Sequence, residues 1–187
     1  MCGQAPSAVR SQPSTAMEIR LARCTLRPWR SGDEPALARH ANNRKVWLNL
    51  RDAFPHPYTR ADADAWVAAS AGVEPVLNLA IEAGGEVVGS VGVSPYTDVY
   101  RRSAEIGYWL AEPLWGRGIM TEALGAATEH AFGVLEVVRI QAAVFEWNPA
   151  SMRVLEKCGY RLEGRLAKSV WKDGTLMDSV LYARLRG

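Results

Sequence analysis

Glu112-Pro113-Leu114-Trp115-Gly116-Arg117-Gly118-Ile119-Met120-Thr121-Glu122-Ala123 places two glycines in a turn that feeds directly into an amphipathic helical pattern. The apolar run Ile106-Gly107-Tyr108-Trp109-Leu110 precedes it, so the local order is strand, glycine turn, helix. In that order the N–H groups of the turn and the positive end of the helix converge on one point. An anionic group of the pyrophosphate kind is expected there. Neither common nucleotide fingerprint fits: G-x-G-x-x-G needs a third glycine where Thr121 stands, and no Lys-Ser or Lys-Thr pair follows to make a P-loop. The alternative is a plain strand-to-helix turn whose glycines serve geometry alone.

Working outward, Met120, Leu124, Ala127, Ala131 and Leu135 recur at helical spacing and give the helix after the turn one face to bury. Strands are expected over 139–145 beyond it and over 103–110 before it. Upstream, 78–82 and 87–94 flank Ala83-Gly84-Gly85-Glu86 and read as a hairpin. The pattern over 20–28 suits a first strand, and Ser31-Gly32-Asp33-Glu34-Pro35 opens a helix running to about Asn43. Thr59 caps a second helix over 60–70. Between these two helices lies Arg51-Asp52-Ala53-Phe54-Pro55-His56-Pro57-Tyr58, where two prolines exclude a regular helix and leave aromatic residues on a loop able to cover a pocket. Downstream, Asn148-Pro149 starts a short helix that ends at Gly159. Strands over 161–171 and 176–183 close the chain, joined by Lys172-Asp173-Gly174-Thr175, in which Asp-Gly is a hairpin signal. The sum is a mixed α/β sheet of six or seven strands with about four helices, in a single domain.

Composition narrows the partners. With 187 residues, 48% hydrophobic and 22% charged, the chain has the material for one buried core. Lys plus Arg exceed Asp plus Glu by only two, and no basic run marks a nucleic-acid tail. Cys2, Cys24 and Cys158 are odd in number and lack CxxC spacing, which argues against disulfides and zinc and fits a reducing cytoplasm. No apolar run reaches the ~18 residues of a membrane helix. Residues 1–16 lack both periodicity and an apolar signal segment, so they read as a disordered leader, with Met17 as an alternative start.

Two blocks carry a resemblance. Trp115-Gly116-Arg117-Gly118-Ile119-Met120-Thr121-Glu122-Ala123 resembles the acetyl-CoA signature of the GNAT N-acetyltransferases, in particular the RimJ/RimL-like branch. Asn148-Pro149-Ala150-Ser151-Met152-Arg153-Val154-Leu155-Glu156-Lys157-Cys158-Gly159-Tyr160 resembles that family's asparagine-helix-glycine-aromatic block. The likeness in element order runs from about Leu26 to Ala183 and makes 17–187 an N-acetyltransferase domain, its sheet mostly antiparallel with a splayed central parallel pair. Trp115 stands where the family usually has Gln or Arg, and Met120 where it has Gly or Ala. Trp115 cannot supply the Gln side chain and Met120 would narrow the turn, so the backbone part of the cradle is what carries over.

The resemblance implies acetyl-CoA as cosubstrate, held by Ile106, Gly107, Tyr108, Trp109, Leu110, Trp115, Gly116, Arg117, Gly118, Ile119, Met120, Thr121, Asn148 and Ser151, with no metal. It implies direct attack by a primary amine, backbone N–H groups near Gly107 to Trp109 polarising the thioester oxygen. The acceptor inherited from the branch is a protein N-terminal α-amine. The alternatives are a small-molecule amine, for which Asp52, Asp98 and Glu105 offer few carboxylates, and a coenzyme-A-binding sensor without turnover. Nucleic acid and membrane are not expected as partners, and room is left for a homodimer. Many family members place a tyrosine as proton donor where this chain has Leu155. Ser151, one helical turn earlier on the same face, is the substitute, or else an ordinary polar residue of a first turn. Asn148 reads both as N-cap and as cofactor contact. Glu105 is the candidate base, on the same strand face as Gly107 and Trp109; otherwise it is a solvent-facing charge. Trp109, Trp147 and Trp171 line an acceptor pocket or are half-buried sheet residues, and His56 reads as a surface loop residue.

Overall fold

The computed structural model describes residues 17–187; the leader reading of 1–16 lies outside the described residues. The chain opens with Ile19–Arg20 (β1) and Thr25–Pro28 (β2), a tight hairpin closed by the Leu21 N–H donating to the Cys24 carbonyl at 2.9 Å. The single strand expected over 20–28 is therefore two, because the chain reverses at Ala22 and Arg23 and brings Ile19 opposite Leu26. Glu34–Ala41 (α1), Arg44–Trp47 (α2) and Arg60–Ser70 (α3) follow. The first helix stops two residues short of Asn43. The Asn43 side chain accepts from the N–H groups of Lys45 and Val46, at 2.8 and 3.4 Å, and so starts a helix of its own. That turn makes five α-helices among the described residues where about four were expected. Thr59 caps α3 in a reciprocal capping box with Asp62.

Asn78–Ala83 (β3), Glu86–Pro95 (β4) and Ser103–Leu110 (β5) then precede Ile119–Val134 (α4). Arg139–Phe145 (β6), Pro149–Lys157 (α5), Arg161–Lys172 (β7) and Thr175–Leu185 (β8) complete the chain. The eight strands form one sheet in the order β1-β2-β3-β4-β5-β6-β8-β7. Every neighbouring pair is antiparallel except β5 and β6. A parallel pair needs a crossover, and α4 supplies it. Asp173 and Gly174, at φ 50° and 75°, close β7 onto β8 in the geometry that Asp-Gly favours.

Helices cover both faces. On one, α1 and α3 pack with Trp29, Leu37, Val67 and Ala80; on the other, α4 and α5 bury Ala123, Leu124, Ala127, Ala131 and Leu155 against Leu26, Ile81, Ile106 and Ile140. Each such Leu or Ile side chain contributes about 1.5–3 kcal/mol by leaving water. Being covered twice, β4 buries an unbroken run from Val87 to Val91 instead of alternating. Among the described residues no helix is long and apolar enough to cross a membrane, and no cluster of His, Cys, Asp and Glu is placed to hold a metal ion.

Candidate active site

The parallel pair comes apart. β5 and β6 pair only at Ser103 with Arg139, Ala104 with Ile140 and Glu105 with Gln141. Beyond that point β5 stays paired to β4 as far as Leu110, and β6 to β8 as far as Phe145. Two strands held on their outer edges and not on their inner ones leave an opening between them. The hydrogen bonds decide which groups border it. Tyr96 N–H donates to the Ser103 carbonyl at 3.0 Å and Ala111 N–H to the Val88 carbonyl at 2.8 Å, so odd-numbered residues of β5 direct their backbone groups to β4. Antiparallel alternation turns the even-numbered ones the other way. The N–H groups of Ile106, Tyr108 and Leu110 therefore face the opening. The expectation of donors near Gly107 to Trp109 narrows to Tyr108, because the N–H groups on either side of it belong to the β4 ladder. On β6, the Arg186 N–H to Val138 carbonyl bond, 2.9 Å, and the Glu146 N–H to Asp178 carbonyl bond, 3.1 Å, fix the same logic and leave Ala143 and Phe145 facing inward. Strand groups without a ladder partner must bond to water or a ligand. One acceptor is already taken: Trp115 Nε1 donates to the Leu110 carbonyl at 2.7 Å.

The opening leads to the glycine turn. Gly116 and Gly118 sit at φ 75° and 79°, left-handed positions at which a side chain is strained. Gly118 is the N-cap of α4 and brings no side chain to cap it, so the first-turn N–H groups are left for an external acceptor. The Met120 side chain is buried in the main core beside Ile119, and Met120 also borders the cleft. Arg117 is exposed. A residue with no local signal joins them. Arg23, at the tip of the β1–β2 hairpin, donates its backbone N–H to the Glu122 carboxylate at 3.0 Å and pairs with it through its guanidinium. The Arg23 Nε lies 3.6 Å from the place a Gly118 Cβ would take. Its partner is 99 residues away in sequence, so no local pattern marks it.

At the start of α5, the Asn148 side-chain oxygen accepts from the Ser151 N–H at 3.1 Å, an N-cap bond, and Asn148 borders the same cleft. Ser151 Oγ lies 2.7 Å from the Tyr108 hydroxyl. Leu155, at the position of the family tyrosine, is fully buried in the core.

Through the sheet, Glu105, Gly107 and Trp109 share the face covered by the loop over 51–58. Arg51 pairs with Glu105 across the mouth. The loop is tied down by Phe54, whose ring is 5.8 Å from Trp109 and 4.8 Å from Tyr58, and by Asp52, which accepts from Lys172 Nζ at 2.6 Å. Lys172 is buried and also lies 3.6 Å from the centre of the Trp47 ring. The cleft, about 1550 Å³, runs from the glycine turn through the opening to this loop and to Trp171. Trp147 stands outside it, beside a smaller hollow of about 410 Å³ that it shares with Trp115. His56 is exposed and stacks on Trp47, 5.5 Å between ring centres. Asp98 lies on a short turn before β5, away from the cleft.

A profile of the acetyltransferase (GNAT) domain matches residues 23–161, which span both the glycine turn and the α5 block. The chain belongs to the GNAT family. Among its relatives are the uncharacterized N-acetyltransferase YoaA of Bacillus subtilis, 35% identical over 98 residues, 52% of this chain and 55% of the relative. The ribosomal-protein-serine acetyltransferase of Escherichia coli is 37% identical over 84 residues, 45% of this chain and 47% of that one. The chain spans about half the length of the curated relatives it matches. Mycobacterium smegmatis RimJ, solved in complex with CoA-disulfide, is 29% identical with a TM-score of 0.77 and covers 92% of this chain and 88% of its own. The GNAT sheet, with its one parallel pair, and the RimJ/RimL-like likeness read from the two sequence blocks are both in accord with these relatives.

Proposed function

We propose that the protein transfers an acetyl group from acetyl-CoA to a primary amine, a protein N-terminal α-amine in the first place, by direct attack. The observation that carries this reading is the opening between β5 and β6, lined by unpaired strand groups and continuous with the uncapped start of α4. An extended arm with amide groups fits the first, and a pyrophosphate fits the second. Acetyl-CoA has both, and supplies an activated thioester. The first-turn N–H groups from Gly118 to Thr121 hold the phosphates, with the Arg23 guanidinium beside them. The N–H of Tyr108 polarises the thioester oxygen. The Asn148 amide contacts the same ligand while its oxygen caps α5. Ser151 donates a hydrogen bond to the departing sulfur; a thiolate whose reference pKa is near ~8.5 needs no full proton at that moment.

On the acceptor side, Glu105 binds the incoming ammonium and takes its proton. Arg51 holds the place of that ammonium in the free protein, and one cation exchanges for the other. An α-amine, with pKa ~7.7–8.0, is in part neutral at pH 7 and asks little of the base. An E. coli relative named for ribosomal-protein serine supports a protein acceptor, and another named for N-acetylation of the alanine of ribosomal protein uS5, a residue without a side-chain amine, supports an α-amine. A cytoplasmic setting follows from that acceptor class.

The test compares kcat/KM on N-terminal peptides, lysine side chains, polyamines and aminoglycosides, for the wild type and Glu105→Gln. The expected result is a preference for free α-amines and a loss of roughly 10² in kcat for Glu105→Gln at near-normal acetyl-CoA affinity. A preference for a small amine moves the acceptor class. Tight acetyl-CoA binding with no transfer to any amine means a sensor without turnover.

A further inference from the structure

The Tyr108 hydroxyl has two acceptors in reach, both on one residue: Ser151 Oγ at 2.7 Å and the Ser151 carbonyl at 3.3 Å. Tyr108 lies on the face of β5 that α5 covers, partly buried against the main core. Burial pushes its phenol well above the ordinary tyrosine value, so it keeps its proton throughout the physiological range. Ser151 is held at its main chain by Asn148 and borders the cleft.

A serine hydroxyl carries one proton. If Ser151 donates it to Tyr108, nothing is left to point at a ligand. If Tyr108 donates to Ser151, that proton is free to turn into the cleft, and the bond received by Oγ strengthens the one it gives. The shorter of the two contacts is the one to Oγ, and a phenol out of water has its own proton to place. Tyr108 also presents its N–H to the opening. One residue thus reaches both ends of the thioester group: its main chain on the oxygen side, its side chain behind the donor on the sulfur side.

We propose that Tyr108 is a positioning residue for acetyl transfer: its hydroxyl donates to Ser151 Oγ, fixes the serine rotamer and leaves the serine proton aimed at the departing sulfur. No proton changes owner in this arrangement. The proposal rests on the donor role given to Ser151 above. It also explains how the chain does without a tyrosine at Leu155: a tyrosine on the neighbouring strand acts through a serine one turn away.

The experiment is a double-mutant cycle of Tyr108→Phe, Ser151→Ala and the double variant, with kcat, both KM values, acetyl-CoA affinity by calorimetry and the melting temperature. Tyr108→Phe should lower kcat roughly tenfold, the effect of one hydrogen bond, with both KM values within about twofold of wild type. In the Ser151→Ala background the same change should cost nothing further. An equal loss in both backgrounds, a loss confined to KM, or a wild-type kcat in folded Tyr108→Phe overturns the proposal. If Tyr108→Phe does not fold, 3-fluorotyrosine at 108 keeps the ring and hydroxyl but strengthens the donor. It should change kcat in wild type and not in Ser151→Ala; the same response in both backgrounds also overturns the proposal. Wild-type protein without any acetyl transfer would instead fail the functional reading, and Ser151→Ala at the wild-type rate would remove the donor and Tyr108 with it.

Discussion

At the level of single residues, Gly118 is held by conformation and not by space. A Cβ there would meet the Arg23 side chain at 3.6 Å or more, an ordinary contact, but φ is 79°. A β-branched residue in that region is a steric outlier. Gly118→Val should therefore fold, with the turn forced into another conformation and its N–H groups redirected. Calorimetry should find acetyl-CoA affinity lowered at least about tenfold, the change that follows from losing about 1.4 kcal/mol of interaction. An unchanged affinity in the folded variant would separate the turn from the ligand. The two glycines were legible because their role is local: a strand before, a helix after, and nothing else needed. Arg51 on Glu105 and Tyr108 on Ser151 were not, since the partners are 54 and 43 residues apart and only the folded sheet brings them together. Glu105 and Ser151 were picked out by type and position. Their neighbours decide what each can do.

Among the elements, α5 starts on a side chain, Asn148, that caps the helix and, in the proposed function, also contacts the cofactor. Asn148 Oδ1 satisfies the Ser151 N–H, one of the donors that a helix start leaves open, and Pro149 follows as a first residue that has no N–H to satisfy. Asn148→Ala should cost about 1 kcal/mol through the lost cap. For a chain of this size that is a fall of about 2–4 °C in melting temperature. Thermal denaturation checks the first figure, and acetyl-CoA affinity, expected to weaken as well, checks the second task. A lower melting temperature with unchanged affinity would leave Asn148 a cap alone. The elements themselves were readable where a periodic run or a turn pair marked them, as at Asp173-Gly174 or the capping box of Thr59. They were misread where one local choice competed with another. Asn42-Asn43 ends one helix and begins the next, and Ala22-Arg23, with no glycine, proline or asparagine, still turns the chain because Ile19 and Leu26 gain a sheet partner and a core contact. At Ala22-Arg23 tertiary packing outweighs local preference, whereas at Asn42-Asn43 a local cap outweighs continuation of the helix.

In the whole molecule, the fold places its chemistry where one sheet stops being one. Antiparallel neighbours hold β5 and β6 from outside, α4 forces them to be parallel, and their divergence after three residue pairs opens a passage between the two faces. Tyr108 and Glu105 lie beside the passage on opposite faces of one strand, which the proposed function assigns to the cofactor and to the acceptor. The mixed sheet could be read from the order of elements, and the splayed parallel pair from the family resemblance of the two sequence blocks. The loop over 51–58, tied to Lys172 and Trp109, depends on contacts between parts of the chain more than 50 residues apart. The proposed direct transfer through that passage is decided by one experiment. Protein at a concentration comparable to acetyl-CoA is mixed with an N-terminal peptide bearing a free α-amine, with the same peptide blocked at its α-amine, or with neither, while free thiol and the masses of protein and peptide are followed. Direct transfer should release one thiol for each peptide acetylated, none with the blocked peptide, and leave no acetyl group on the protein in any arm. Thiol release with acetyl left on the protein, or a saturated complex that never acetylates the free amine, would contradict it.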